Sequence, residues 1–422
     1  MLGYRATTQR RADINVSKQT ADTLWQPAVD AAPPHAFVAS RFAPIQDSID
    51  ALAPRIRAQA DQAEAQRFLD VEVAEAIAEA GLHRLTAPKA LGGEEAHPFT
   101  QILAIEALSR VDGSAGWNLM IGLEVLGILS AALPEATARA LLADPKMIAS
   151  GALNPLGRAR ATAGGYDVTG QWPMASGCHA SRFFWGQCVV TTDDAPGARP
   201  PTQLLEAVVP RSQFEIIDTW HVAGLRSSGS HDVRVTDVFV PHSHITRMAK
   251  GLNADGPLFR LPTYSRLAYN KVGVATGIAR AALDHFMDLA LNKSPRASQS
   301  RLAARSDAHQ AIAEAEVLLQ SSRAFVFQAV GEMWRRVCAG EPQDERLRAL
   351  VQLACSHAAQ AAVQAVDAVH AVTGISANFL SSPMERCVRD VRVVRQHIMT
   401  SSQWIQGAGR VLLGNPSGSF VL

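Results

Sequence analysis

Tyr166-Asp167-Val168-Thr169-Gly170, Cys188-Val189-Val190, Leu204-Leu205-Glu206-Ala207-Val208-Val209 and Val233-Arg234-Val235 are the runs on which the fold turns. Each is short, rich in β-branched or alternating apolar residues, and bounded by Gly, Pro or Asp, the pattern of strands joined by tight turns. They fall between residues 151 and 262 and predict a small antiparallel barrel or sandwich there.

The texture changes on both sides of this stretch. Upstream, Ile49, Leu52 and Ile56 recur at helical spacing, and a second periodic run from Val71 to Ala80 is closed by Gly81. Downstream of Pro262, residues Leu267, Val274, Ile278, Ala282, Phe286 and Leu289 share one helical face, and two further Ala-rich stretches reach about residue 372. The pattern predicts an α+β multidomain chain: an N-terminal α-helical domain over 39–150, a central antiparallel β-barrel domain over 151–262 and a C-terminal four-helix bundle over 263–422. Residues 1–38, with Pro33-Pro34 and no sustained periodicity, read as an N-terminal extension.

Composition excludes several classes of function. The net charge is +1 over 422 residues, which gives no field to draw nucleic acid or an anionic membrane. Arg5, Arg10 and Arg11 are followed by no apolar signal core, and no apolar run is read as membrane-spanning. Five scattered cysteines without C-x-x-C spacing read as reduced thiols, so the expected location is cytoplasmic. No metal site is expected, since His242 and His244 lack further ligands at a suitable spacing. Cys178 beside His179 lacks a positioned third group and is assigned no role.

Five blocks occur in an order shared with a known family. Ala80-Gly81-Leu82-His83-Arg84-Leu85 with Pro88 and Leu91-Gly92-Gly93, Asn154-Pro155-Leu156-Gly157, Gly170 to Gly177, Gly224-Leu225-Arg226 to Pro241, and Pro383-Met384-Glu385-Arg386 to Asp390 resemble the acyl-CoA dehydrogenase superfamily over residues 42–414. Trp172-Pro173-Met174-Ala175-Ser176-Gly177-Cys178 and Arg395-Gln396-His397 resemble its two-component flavin-dependent monooxygenases. Where a dehydrogenase would carry its catalytic glutamate, this chain has Ile398, next to His397. The family's other glutamate position, early in the first bundle helix, reads Arg266-Leu267-Ala268-Tyr269-Asn270.

The resemblance implies an oxygenase that takes reduced FMN or FAD from a separate NAD(P)H-dependent flavin reductase. With O2 it would oxygenate a small, aromatic substrate through a C4a-hydroperoxyflavin. It implies His397 and Ser176 as catalytic groups, with Ser176 at the flavin N5 edge and His397 on a late helix, either hydrogen-bonding the peroxide or accepting a substrate proton. Asn154, Gly177, Arg226 and one of Trp172 or Met174 would meet the flavin. Lys293 and Arg296, with Thr373 and Gly374 of another subunit, would meet its phosphates. Trp117, Asn118 and Phe379 would join His397 around the substrate, in a homotetramer built as a dimer of dimers.

The residues taken alone admit plainer readings. Ser176 suits a turn cap, His397 a helix surface, Lys293 and Arg296 a solvated helix end, and Asn118 and Asn154 ordinary packing. A dehydrogenase with a displaced base, or a non-catalytic scaffold of the same fold, are the alternative functions.

Overall fold

The computed structural model describes residues 33–191, 203–248, 251–296 and 300–419. Residues 1–32 of the expected N-terminal extension lie outside the described residues. Five helices come first: α1 (Pro33–Gln66), α2 (Val71–Glu79), α3 (Pro98–Val111), α4 (Gly113–Ala132) and α5 (Glu135–Leu142). Seven strands follow, β1 (Ala149–Thr162), β2 (Gly165–Trp172), β3 (Phe183–Thr191), β4 (Leu204–Pro210), β5 (Glu215–Ile217), β6 (Asp232–Pro241) and β7 (Ile245–Thr246). The chain closes with α6 (Pro257–Arg260), α7 (Thr263–Asn292), α8 (Ser306–Cys338), α9 (Glu345–Thr373), α10 (Pro383–Gln396) and α11 (Gln403–Leu412).

The sheet corrects the expected antiparallel barrel. Its strand order is β5-β6-β2-β1-β3-β4-β7, open at both edges. β1 and β3 pair in parallel, with Ala149 opposite Phe183, while the remaining neighbours are antiparallel. The reason lies in residues 173–182: after β2 the chain does not turn straight back but crosses to the far side of β1, where β3 runs in β1's own direction. A register break between Ala152 and Gly157 throws Asn154-Pro155-Leu156 out of the ladder. The sheet has its own core of Val168, Trp172, Phe184, Cys188, Leu205, Val209, Val233 and Val235.

The two helical segments share their cores. Ile105 and Leu108 of α3 pack in one cluster with Val274 and Ile278 of α7, and Ile102 and Leu103 pack in another with Tyr269, Val272 and Val326. Glycines allow this approach, because a Cβ on Gly273 would lie 2.7 Å from the Ile102 carbonyl oxygen and one on Gly277 only 2.4 Å from that of Glu106. A bidentate pair crosses the same seam, Arg323 Nε to Glu106 Oε1 at 2.8 Å and Nη2 to Oε2 at 2.7 Å, both residues buried. Contrary to the sequence reading, α4 is long and apolar enough to cross a membrane, yet 83% of its most apolar 18-residue stretch is buried inside the protein, as in a core helix.

A buried carboxylate fastens α10 to the sheet side. Asp390 Oδ1 accepts from the Leu225 N–H at 2.6 Å, where Leu225 is held at φ 50°. Burial, aided by the nearby Asp112, pushes the Asp390 carboxyl up to about 7. An acid raised in the folded state binds its proton more tightly there, so its contribution is fullest below the unfolded value of about 4 and is lost as pH rises towards 7. Asp390→Asn keeps an acceptor for Leu225 without the charge. Its stability relative to the parent is expected to rise as pH increases from about 4 to about 7 and to level off above that, read from urea midpoints across pH. A parallel pair of pH profiles would rule out this origin.

Candidate active site

The site begins at the N-terminus of α4, where Asp112 caps the helix by accepting from the Ala115 N–H at 2.8 Å. This sets Trp117 one turn in, buried, with its indole Nε1 donating to Ser176 Oγ at 2.9 Å. Ser176 Oγ lies 2.7 Å from Ser230 Oγ, which lies 2.7 Å from Ser228 Oγ, so three buried hydroxyls form a chain. Two loops are zipped together behind it by backbone bonds, Ala175 N to His231 O and Gly177 N to Ser228 O, each 2.9 Å. Gly177 and Gly229 sit at φ 73° and 56°, a region where a side chain is strained. Ser176 is therefore a linked hydroxyl rather than a turn cap.

His397 packs edge-on against Trp117, ring centroids 5.4 Å apart. It does not lie within the late helix, as the sequence suggested, because α10 ends at Gln396 and His397 is its C-cap with ψ 142°. Its Nδ1 accepts from the Met399 N–H at 3.2 Å, which leaves the proton of a neutral ring on Nε2. Burial first, then the charge of Lys271, holds the imidazole well below its usual range, so it is neutral at pH 7. A neutral ring with this tautomer is a donor. The proton-accepting role read from sequence is disfavoured by this geometry.

Beyond Trp117, α4 presents Met120 and Glu124 along the same face. Lys271 Nζ, from α7, reaches Glu124 Oε2 at 2.7 Å and Met120 Sδ at 3.3 Å, with both charged residues buried. Burial pushes the Glu124 carboxyl up against the pull of Lys271. The sequence reading passed over this pair. Its signal was there, since Glu124 is the single charged residue of the apolar α4, and a charge in such a helix requires a partner.

The other expected residues divide. Trp172 is fully buried in the sheet core, with Nε1 donating to Gln187 O at 2.8 Å, so its ring faces no ligand. Met174 instead is 59% exposed and held at φ 59°, an uncommon conformation for a residue with a side chain. Asn154 is exposed in the β1 bulge. Arg226 is turned away, donating to Glu64 O and Val222 O at 3.3 and 3.2 Å. Asn118 lines a cavity of about 20 Å³ behind Ser176, with His83, His179 and Ser228, and its Oδ1 has no partner. That is room for a single water with polar neighbours.

Lys293 Nζ binds Thr373 O at 2.7 Å and Ser376 Oγ at 2.6 Å, beside Gly374 at φ 80°. The Thr373 hydroxyl is turned back to Val369 O. Arg296 is exposed, and Phe379 forms an exposed apolar patch with Ile375 and Leu380. Among the described residues no hydrogen bond joins the Lys293 group to the Ser176 group.

These residues fit a flavin. Met174 at its left-handed turn offers an exposed apolar surface beside a buried hydroxyl chain, and a cation with a glycine-shaped backbone turn at Lys293 and Gly374 suits a phosphate.

Family models agree with this architecture. The acyl-CoA dehydrogenase N-terminal domain matches residues 43–143 and the acyl-CoA dehydrogenase C-terminal domain matches residues 270–402. The chain is 33% identical over 362 residues to an indole-3-acetate monooxygenase of Pseudomonas putida, covering 85% of this chain and 91% of that one. It is 29% identical over 400 residues to the oxygenase component of an FADH2-dependent resorcinol hydroxylase of a Rhizobium species, covering 88% and 92%. The crystal structure of the 3-HSA hydroxylase from Rhodococcus sp. RHA1 superposes with a TM-score of 0.81 at 25% identity, covering 90% of this chain and 98% of that one. The chain belongs to the acyl-CoA dehydrogenase superfamily, in its branch of flavin-dependent monooxygenases.

Proposed function

We propose that this protein is the oxygenase component of a cytoplasmic two-component system, fed with reduced FMN or FAD by a separate NAD(P)H-dependent reductase, and that it oxygenates a small aromatic molecule of the indole or phenol kind. The carrying observation is the pair of contacts in which a neutral His397 packs on Trp117 while Trp117 anchors Ser176. Reduced flavin, when bound, supplies the two electrons that activate O2. The chain supplies the rest: Met174, Ser176, Gly177 and Asn154 hold the ring end, Lys293 and Arg296, with Thr373 and Gly374 of another subunit, the phosphate end, and His397 Nε2 presents a proton to an oxygen. The buried Trp117 and the apolar face of α4 exclude water. Dehydrogenation is disfavoured, because the buried carboxylate on this face, Glu124, is tied to Lys271 at 2.7 Å rather than free to act as a base.

Assembly as a dimer of dimers is part of the same proposal. The exposed Ile375, Phe379 and Leu380 beside Lys293 and Ser376 support it, since an apolar patch at the phosphate-binding end suits a subunit contact.

The test is to supply photoreduced FMN or FAD with isotopically labelled O2 and a panel that includes indole-3-acetate and resorcinol. One labelled oxygen atom in the product is expected. No labelled product from any aromatic, with dye reduction by acyl-CoA thioesters instead, would move the protein to dehydrogenation.

A further inference from the structure

Three polar atoms on one side of the site are buried without partners. They are Arg266 Nη1 and Asn270 Oδ1, one turn apart on α7, and Glu124 Oε1 on α4. All three residues are at least nine-tenths buried. The Lys271–Glu124 pair cancels its own charge, whereas Arg266 meets the Tyr269 hydroxyl, which burial keeps neutral, has Glu124 as the carboxylate that acts on it, and lies with Cζ 5.6 Å from the Phe259 ring centroid. Whichever proton count Glu124 holds, this group carries more positive than negative charge. A buried guanidinium nitrogen with no acceptor is costly, and so is a buried amide or carboxylate oxygen with no donor. One unpaired donor and two unpaired acceptors in surplus positive charge call for a ligand oxygen that accepts from the guanidinium, with an acidic proton for an acceptor beside it.

The position suits the polar end of a substrate. From Trp117 to Glu124, α4 rises roughly 10 Å, about the span of a small bicyclic aromatic with a side arm. The Trp117, His397 and Ser176 group lies at one end and the unpaired atoms lie at the other, with Lys271 touching the middle at Met120.

Resting on the functional reading above, we propose that Arg266, with Asn270 and Glu124, forms a subsite for an acidic oxygen of the aromatic substrate, a carboxyl or a phenolic hydroxyl. Arg266 Nη1 donates to that oxygen, and Asn270 Oδ1 or Glu124 Oε1 accepts its proton when it has one. The subsite selects oxyacid aromatics over neutral ones and sets which ring edge faces His397.

The test is anaerobic titration calorimetry of the protein saturated with reduced FAD, using two pairs of probes. Indole-3-acetate against indole-3-acetamide reads a carboxyl, and resorcinol against its dimethyl ether reads a phenol. In at least one pair the acid is expected to bind about ten- to a hundredfold more tightly, the usual range for a charge-assisted hydrogen bond. Arg266→Met is expected to shrink that preference to about twofold, with Arg266→Lys between the two. Equal affinity within both pairs overturns the subsite and leaves an ordered water as the occupant, as does a preference that survives in a folded Arg266→Met. If that variant does not fold, the wild-type pairs decide alone. Labelled-oxygen incorporation into acid and neutral probes alike would sink the subsite while leaving the monooxygenase reading intact. Binding of none of the four probes would sink both.

Discussion

His397→Ala lowers product formation by about 10²- to 10⁴-fold, the range for losing a positioned proton donor or acceptor. The variant removes two things at once, because Nδ1 also accepts from the Met399 N–H and so caps the start of the short turn Ile398–Thr400 that follows α10. His397→Asn separates them. Asparagine is a favoured residue at such a cap and keeps an acceptor for Met399 N–H, but offers no Nε2–H at the imidazole's reach. It is therefore expected to match the parent in thermal stability and His397→Ala in rate. A fully active His397→Asn would reduce His397 to a capping residue. Because burial and Lys271 hold the ring neutral, the parent's rate is also expected to show no titration near the ordinary histidine value.

Glu106→Ala costs about 3–5 kcal/mol of stability, since it leaves Arg323 buried without its bidentate carboxylate. The measurement is the urea midpoint at unchanged slope. Replacing both partners by apolar residues, Glu106→Leu with Arg323→Met, is expected to recover most of that loss, because neither member of the pair is then left buried without the other. A single variant within about 0.5 kcal/mol of the parent would show the pair to be solvated and unimportant.

The order of layers and the kind of most long elements were legible, because alternation and helical spacing are local properties of residues such as Val233-Arg234-Val235 or Leu267 to Leu289. β1 (Ala149–Thr162) was not among the expected strands, and residues 33–38, expected in the extension, open α1. Strand direction is not local. The parallel pairing of β1 with β3 depends on where residues 173–182 carry the chain. The same limit explains the choice between Trp172 and Met174. Counting two residues along a strand places both on one face, but β2 ends at Trp172 and Met174 turns left-handed, so the alternation does not reach it. His397 was found by its neighbours in sequence, yet its role depends on the helix stopping one residue earlier. Lys271, Glu124, Arg266 and Asn270 escaped because periodicity was read on apolar positions, and these four are polar residues pointing into a core.

The shared core of α3 and α7 bears on how the chain is made. Arg323 follows Glu106 by 217 residues, and ribosomes extend a chain at roughly 5–20 residues per second. During synthesis the apolar faces of α3 and α4 therefore wait some tens of seconds for their partners. Throughout that interval the nascent protein displays a greasy helical surface, and α4 is apolar enough to pass for a membrane segment. Yield in the cell should therefore depend on what shelters that surface until the second half of the chain emerges.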